Sequence, residues 1–378
     1  MISKGMTTMA IKQINLKKVY TAIYQEKETS KLQLVQSLQM GLSTVSQNLK
    51  ELEDQELILK TGYLESTGGR RAHLITINKL ARTSIGLGIL KDCIHLVHVN
   101  LYGEVTHKQT HPIPYSDETP YYQTIGKLVQ QFIEKNNINP DRLLGVSIAI
   151  QGIISSDGES VSYGPILQND QLKRSTLAEF IPYPCRLTHD SKAAAYLELW
   201  HHQELDSAIL LFLNENLGGA IMTHRKVHNG LQMRSGIIEH LSLNKQGPTC
   251  YCGSRGCLET YCSIHALVSQ AKMSVPDFFE KLRAGDDHCQ TIWKTYLTHL
   301  AEAIRNITVI VDGVVIISGH LAPYFNQEDL TFIQHYLKEI APFPLTRENI
   351  ILGIEGKYTP AIGAALYNIA DYLKTMMV

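Results

Sequence analysis

The sequence predicts a layered α/β body preceded by a small helical module that ends in a β-hairpin. Three observations carry that expectation. Apolar side chains recur at helical spacing in three short stretches before residue 55. Two apolar runs, 57–59 and 74–77, then flank a Gly-Gly pair. From Ser84 onward, apolar runs of strand length alternate with helical stretches, the pattern of a layered α/β domain. A chain of 378 residues is too long for one ordinary domain, and two or three are expected.

The first element is a helix, because Leu16, Val19, Tyr20, Ile23 and Tyr24 fall at i, i+3, i+4, i+7 and i+8. Thr29 or Ser30 caps a second helix, with Leu34, Val35 and Leu38 facing inward, and Gly41 breaks it. Ser43 is expected to cap a third helix, with Leu42, Val45, Leu49 and Leu52 inward. Two helices joined by a short Gly-containing turn make the helix-turn-helix arrangement.

The outward face of the third helix carries Ser43, Thr44, Ser46, Gln47 and Lys50, short hydrogen-bonding groups and one cation. A recognition helix needs such residues to reach base edges in the major groove. An ordinary three-helix bundle with a polar face would look the same.

The next segment favours DNA. Leu57-Ile58-Leu59 and Leu74-Ile75-Thr76-Ile77 read as strands bracketing Ser66-Thr67-Gly68-Gly69-Arg70-Arg71, a wing whose Arg70 and Arg71 suit the negative potential of the minor groove. A plain Gly-Gly turn with solvated arginines is the bland alternative. Residues 1–80 hold 11 Lys+Arg and 7 Asp+Glu, a net of +4; the whole chain nets −1, so the remainder carries −5. A basic head on an acidic body fits a nucleic-acid module.

In the body, Ile85–Leu90, Ile94–Val99, Leu144–Ile150, Ala208–Leu213 and Val314–Ile317 read as strands. Tyr121–Glu134, Ala301–Ile310 and Pro360–Leu373 read as helices. A hydrophobic fraction of 44% suffices for packed cores and argues against disorder. No apolar run approaches the length that spans a bilayer, and Met1 to Gln13 lacks the apolar core of a signal peptide. The expectation is a cytoplasmic protein with no membrane partner.

Seven cysteines in a chain of this size do not form a disulfide scaffold. Three of them, Cys250, Cys252 and Cys257, crowd together ten residues after His240, with Gly253 and Gly256 between them. Closely spaced nitrogen and sulfur donors are what tetrahedral zinc prefers. Four protein ligands leave no open position, so the zinc is expected to be structural. Cys262 is a possible substitute ligand; Cys93, Cys185 and Cys289 read as lone thiols or core residues.

The stretch from Gly236-Ile-Ile-Glu-His240 through Gly247-Pro-Thr-Cys250-Tyr-Cys252-Gly-Ser-Arg-Gly-Cys257-Leu-Glu259 resembles the signature of the ROK family of repressors, open reading frames and sugar kinases. Leu187-Thr-His-Asp190-Ser-Lys-Ala-Ala-Ala, Gly152 after a strand and Gly363-Ala-Ala support the match, which runs from about Asn15 to Tyr372. The wing's Gly-Gly-Arg-Arg resembles the family's repressor branch, of the xylose and N-acetylglucosamine type. The resemblance implies an actin-like (ribonuclease H-like), two-lobed sugar kinase fold for residues 81–378, behind a winged helix-turn-helix at 1–80. The first lobe would be 81–200 and the second, with the zinc loop, 201–378. It also implies a homodimer or dimer of dimers, double-stranded operator DNA as partner, and a sugar or sugar derivative in the cleft.

By the same resemblance, Asp190 matches the catalytic carboxylate of the family's kinases, His240 a residue that ligates zinc and faces the sugar, and Glu259 another sugar-binding carboxylate. His189 and Gly152 join them as ligand-binding candidates. Asp190 could also simply cap the helix that starts near Ser191. Two expected polar positions are Ile237 and Ile166 here, which should alter sugar choice.

The kinase loops are damaged. Where an Asp-x-Gly-Gly-Thr loop is expected, the chain has Gly88-Ile-Leu90-Lys91-Asp92. The second phosphate loop reads Asn214-Glu215-Asn216-Leu217-Gly218-Gly219-Ala220, with a carboxylate where phosphates would sit. The expectation is therefore no enzyme, but a sugar-responsive repressor of carbohydrate metabolism genes. A sugar kinase with a fused regulatory head, or a regulator that reads a protein partner, remain the alternatives.

Overall fold

The computed structural model describes residues 8–63, 73–343, 349–354 and 356–377. It begins with three helices, α1 (Thr8–Glu26), α2 (Lys31–Leu38) and α3 (Leu42–Asp54). Three strands, β1 (Glu28–Thr29), β2 (Ile58–Tyr63) and β3 (His73–Ile77), form an antiparallel sheet in the order β1-β3-β2. Leu16, Val19, Tyr20 and Ile23 are buried, as their spacing demands. Ser30 caps α2, its hydroxyl accepting from the Gln33 amide at 3.3 Å.

Two details of α3 differ from expectation. Its N-cap is Gly41, so Ser43 lies inside the first turn and does not cap. Leu42 is 56% exposed, because the first residue of the helix sits on the rim while Val45, Leu49 and Leu52 take the core. The segment between β2 and β3, with Arg70 and Arg71, lies outside the described residues.

The body holds two five-stranded mixed sheets of matching design. In the first, β4 (Thr83–Ile89), β5 (Ile94–Val99) and β6 (Val105–His111) form an antiparallel meander. After α4 (Thr119–Lys135), strand β7 (Leu143–Ile150) joins β4 in parallel. A short hairpin, β8 (Ile153–Ile154) and β9 (Val161–Tyr163), and helix α5 (Arg174–Ala178) lead to β10 (Cys185–His189), giving the order β10-β7-β4-β5-β6. Helix α6 (Asp190–His201) follows at once.

The second sheet repeats the scheme. β11 (Ala208–Phe212), β12 (Gly218–Thr223) and β13 (Lys226–Val227) are antiparallel. Four helices then precede its parallel strands: α7 (Glu259–Cys262), α8 (Ile264–Ala271), α9 (Val275–Arg283) and α10 (Asp287–Thr308). Strand β14 (Val314–Ser318), helix α11 (Gln327–Ile340) and strand β15 (Ile350–Leu352) complete the order β13-β12-β11-β14-β15, and α12 (Thr359–Met376) closes the chain. The stretch read as a helix at 301–310 is the second half of α10. That helix begins at Asp287, capped by the Asp286 carboxylate, and stops at Thr308.

Helices α6 and α12 fill the space between the sheets. α12 lies on β4, β5 and β7, and α6 reaches β11, β12 and β13 as well as β7 and β10. They cross backbone to backbone: a methyl group at Gly363 would sit 1.8 Å from the Ala193 carbonyl oxygen. The far side of α12 meets the N-terminal helices. Val19, Tyr20 and Ile23 share one apolar core with Val97, Val99, Leu101, Ala365, Ile369 and Leu373. Tyr24 stacks on Tyr102 at 4.6 Å and donates its hydroxyl to the Leu101 carbonyl at 2.9 Å. Ala81 belongs to this same core, so packing continues across the boundary expected at residue 80. Among the described residues, no helix is long and apolar enough to cross a membrane.

Because Gly363 has an ordinary helical backbone, only space is at issue there. Gly363→Ala is expected to cost about 1–3 kcal/mol in denaturant unfolding by forcing the helices apart. Gly62→Ala, where an added methyl meets nothing within 4 Å, is the control and should be near neutral. Equal stability of the two variants would show that α6 and α12 can separate freely.

Candidate functional site

Strands β7 and β10 end side by side, and the chain after each turns into a cavity of about 330 Å³. That size is within the range of small-molecule sites. Gln151, Gly152 and Ile153 supply one wall directly after β7, and His189 ends β10. Tyr163, Gly164, Pro165 and Ile166 come from the chain leaving β9. Arg234, Ile237, Glu239 and His240 come from the segment after β13, and Tyr251 from the cysteine loop.

His240, Gly152 and His189 line this cavity, and so do Ile237 and Ile166. Asp190 and Glu259 are not on its wall. Asp190 is the first residue of α6 and takes the Ser191 amide at 2.7 Å, so it holds the helix start from N1 rather than from the cap, which is His189. Its Oδ1 lies 3.4 Å from His189 Nε2. Burial pushes the Asp190 carboxyl up to about 7 and pulls the His189 imidazole down to about 3.

Glu259 is fully engaged elsewhere. The Asn216 side chain donates to one of its oxygens at 2.9 Å and the Leu217 amide to the other at 2.6 Å. The carboxylate therefore closes the 214–217 loop. Sequence reasoning missed Gln151 and Glu239. Each is a polar residue beside a residue that drew attention for itself, Gly152 and His240. Burial pushes Glu239 up to about 8, with the Glu259 and Asp190 carboxylates adding to the effect.

Behind the cavity, the side chains of His240, Cys250, Cys252 and Cys257 converge, every ligand atom within 4.8 Å of the others. His240 Nδ1 is 3.7 Å from Cys250 Sγ, and Cys252 Sγ is 3.8 Å from Cys257 Sγ. Ligands about 2.3 Å from a tetrahedral ion lie about 3.8 Å apart, so this donor set and spacing fit zinc. The loop can fold so tightly because Gly253 and Gly256 take φ of 85° and 67°, and a methyl at Gly256 would meet the Asn244 carbonyl oxygen at 1.6 Å. Cys262 is not part of the cluster. Its thiol is wholly buried beside the Tyr296 carbonyl, which removes it as a substitute ligand.

On the third helix, Ser43, Gln47 and Lys50 are exposed, and Thr44 and Ser46 are half-buried. The Ser46 hydroxyl donates back to the Leu42 carbonyl at 2.7 Å.

Residues 84–369 match the profile of the ROK family. The chain belongs to the ROK family. It is 29% identical over 341 residues to a xylose repressor of Caldicellulosiruptor bescii, covering 84% of this chain and 85% of that one. A solved ROK family transcriptional regulator, described as a homologue of the E. coli MLC protein, superposes with a TM-score of 0.76 at 22% identity, covering 97% of this chain and 98% of that one. A ROK family glucokinase from Streptomyces griseus, solved with glucose and AMPPNP, gives 0.67 at 19% identity, covering 75% of this chain and 98% of its own.

The Asp190 environment sets a pH dependence. An unfolded chain ionises this carboxyl near 3.8, whereas the folded protein keeps the proton to about 7. Stability is therefore lost as pH rises through that window and is level above it. Asp190→Asn should match wild type near pH 4 and exceed it by on the order of 2–4 kcal/mol at pH 8. Thermal or denaturant unfolding at both pH values is the measurement. A difference that does not grow with pH would show that Asp190 ionises freely in the folded cleft.

Proposed function

We propose that this protein is a sugar-responsive transcriptional repressor of carbohydrate metabolism genes, acting in the cytoplasm. Helices α1–α3 and the β2–β3 hairpin serve as a winged helix-turn-helix, and the body serves as an actin-like, two-lobed sensor that takes a sugar in its cavity. One observation carries this reading. The solved glucokinase accounts for nearly all of itself but only 75% of this chain, while the solved regulator extends over 97%. The N-terminal module, whose α3 exposes Ser43, Gln47 and Lys50, lies outside the 84–369 stretch that the family profile matches. The xylose repressor relative supports the same class.

The phosphate loops support a sensor over a kinase. The Leu217 amide is given to Glu259 and the Leu90 amide to the Cys93 carbonyl, at 3.0 Å in the latter case. Phosphoryl transfer depends on positioning the donor, and amides already bonded within the protein do not cradle phosphate. Asp190 then acts on the ligand through His189, which it contacts at 3.4 Å, instead of as a base.

Packing offers a route between the sites. Asp190 starts α6, α6 crosses α12, and α12 shares its core with α1. A two-fold assembly, dimer or dimer of dimers, would present two modules to a palindromic operator.

The test uses full-length protein and duplexes selected from a random DNA pool. Gln47→Ala should cost about 1–3 kcal/mol and relax base preference, while Lys50→Ala should weaken all sequences alike and lower the salt slope by about 1. Asp190→Asn should blunt the effect of sugar on DNA affinity and leave sugar-free affinity nearly intact. No selective duplex, or sugar phosphorylation with ATP that disappears in Asp190→Asn, would restore the kinase reading.

We further propose that the Cys₃His cluster binds one structural zinc. When bound, the ion cross-links the loop and fixes the side chain of His240 on the cavity wall. Cys252→Ser should release the metal, lower thermal stability and weaken sugar response together. Elemental analysis of wild type purified without chelators, showing no zinc, would refute it.

A further inference from the structure

Two side chains on the cavity wall each carry a polar atom with no partner among the described residues. Gln151 Oε1 and Glu239 Oε2 are enclosed and make no hydrogen bond, and both side chains line the cavity. Their residues are only 8% and 7% exposed. An enclosed polar atom left without a partner costs about 1–3 kcal/mol, so two beside one cavity are a standing penalty in the ligand-free protein. Buried groups of this kind earn their place when something else supplies the partners.

Much of the remaining wall offers no polar group at all. Ile153, Pro165, Ile166 and Ile237 present hydrocarbon. A ligand hydroxyl turned toward these side chains would lose its water and gain no partner, while a carbon edge would gain by burial. The cavity therefore asks for hydrogen-bonding groups at one side and for missing oxygen at another.

We propose that Gln151 and Glu239 are the specificity-determining residues of the effector cavity. They hydrogen-bond hydroxyl or amino groups of a monosaccharide with a reduced hydroxyl set, a pentose or a deoxyhexose, whose carbon edge lies on Ile153, Ile166 and Ile237. This rests on reading the cavity as the sugar effector site. Discrimination follows from the unpaired polar atoms. A site built to bond a hydroxyl rejects an analogue that lacks it far more strongly than an apolar wall rejects one extra group.

The experiment measures sugar binding to the full-length, zinc-replete protein by calorimetry and thermal shift. The probes are matched series sharing ring configuration: D-glucose, D-xylose and 6-deoxy-D-glucose; D-galactose, L-arabinose and D-fucose; D-mannose, D-lyxose and D-rhamnose. In the series that binds, the pentose or deoxy sugar should bind at least about tenfold more tightly than its parent hexose. Gln151→Leu and Glu239→Met should each weaken that sugar about 10–100-fold. Their sugar-free melting temperatures should stay level or rise, because an unpaired buried polar atom has been removed. A merely structural role would instead lower the melting temperature and leave affinity alone. If a sugar binds wild type and both variants within twofold, this assignment fails while the effector reading stands. If the parent hexose binds best, the hydrocarbon edge is misassigned. If no sugar in any series binds wild type, both readings fall.

Discussion

The architecture depends on one close contact, the crossing of α6 and α12 at Gly363 and Ala193. Backbone lies on backbone there, with no volume for a methyl group. Protein interiors are packed densely enough that such a contact sets the spacing of whatever lies on either side. On one side α6 starts directly after His189, which lines the cavity, and the Ser191 hydroxyl donates to the Gly219 carbonyl at 3.0 Å, tying the helix to β12. Further along, the wholly buried Glu198 accepts from Ser318 and from the Ile354 amide, both at 2.9 Å, which fastens α6 to the parallel half of the second sheet. On the other side α12 receives α1. A single inter-helix distance thus fixes both sheets, the cavity and the placement of the N-terminal helices.

Much of this was legible in the sequence, and for local reasons. The helical face of Leu16, Val19, Tyr20 and Ile23 is a property of neighbours along the chain, and so is the convergence of three cysteines around two glycines. Errors arose where a residue's fate depends on its tertiary surroundings. Leu42 is apolar and at the right spacing, yet α3 starts there and leaves it on the rim. The first half of α10 was missed because Gln290, Thr291, Lys294 and Thr295 alternate with Cys289, Trp293 and Tyr296, and the buried stripe is narrow. Glu259 has the right chemistry for a ligand contact, but it is held by Asn216 and the Leu217 amide and lies off the cavity wall. Gln151 and Glu239 could not be found from sequence at all. Their distinction is the lack of an internal partner, and that exists only once every other donor has been placed.

The 214–217 loop, on a fold shared with kinases, is held by hydrogen bonds from within the chain. The strands around it keep their register, from Phe212 opposite Gly218 to Ala208 opposite Met222. Asn214 accepts from the His320 amide at 2.7 Å, and Glu259 takes the Leu217 amide. Groups of one loop are satisfied by residues of this chain, so a polyanion would have to displace existing bonds as well as bring its own charge near Glu215. The scaffold persists because its core does not depend on what the loop holds.

The apolar seam between α1 and α12 has a geometric corollary. With Val19, Tyr20 and Ile23 sunk among Ile369, Leu373, Val97 and Val99, and Tyr24 stacked on Tyr102, the head has no tether on which to swivel. In any two-fold assembly of these chains, the gap between the two α3 helices is therefore dictated by how the bodies meet. The spacing of the heads is then a property of the bodies, and any change in how the bodies meet is carried to the far end without slack.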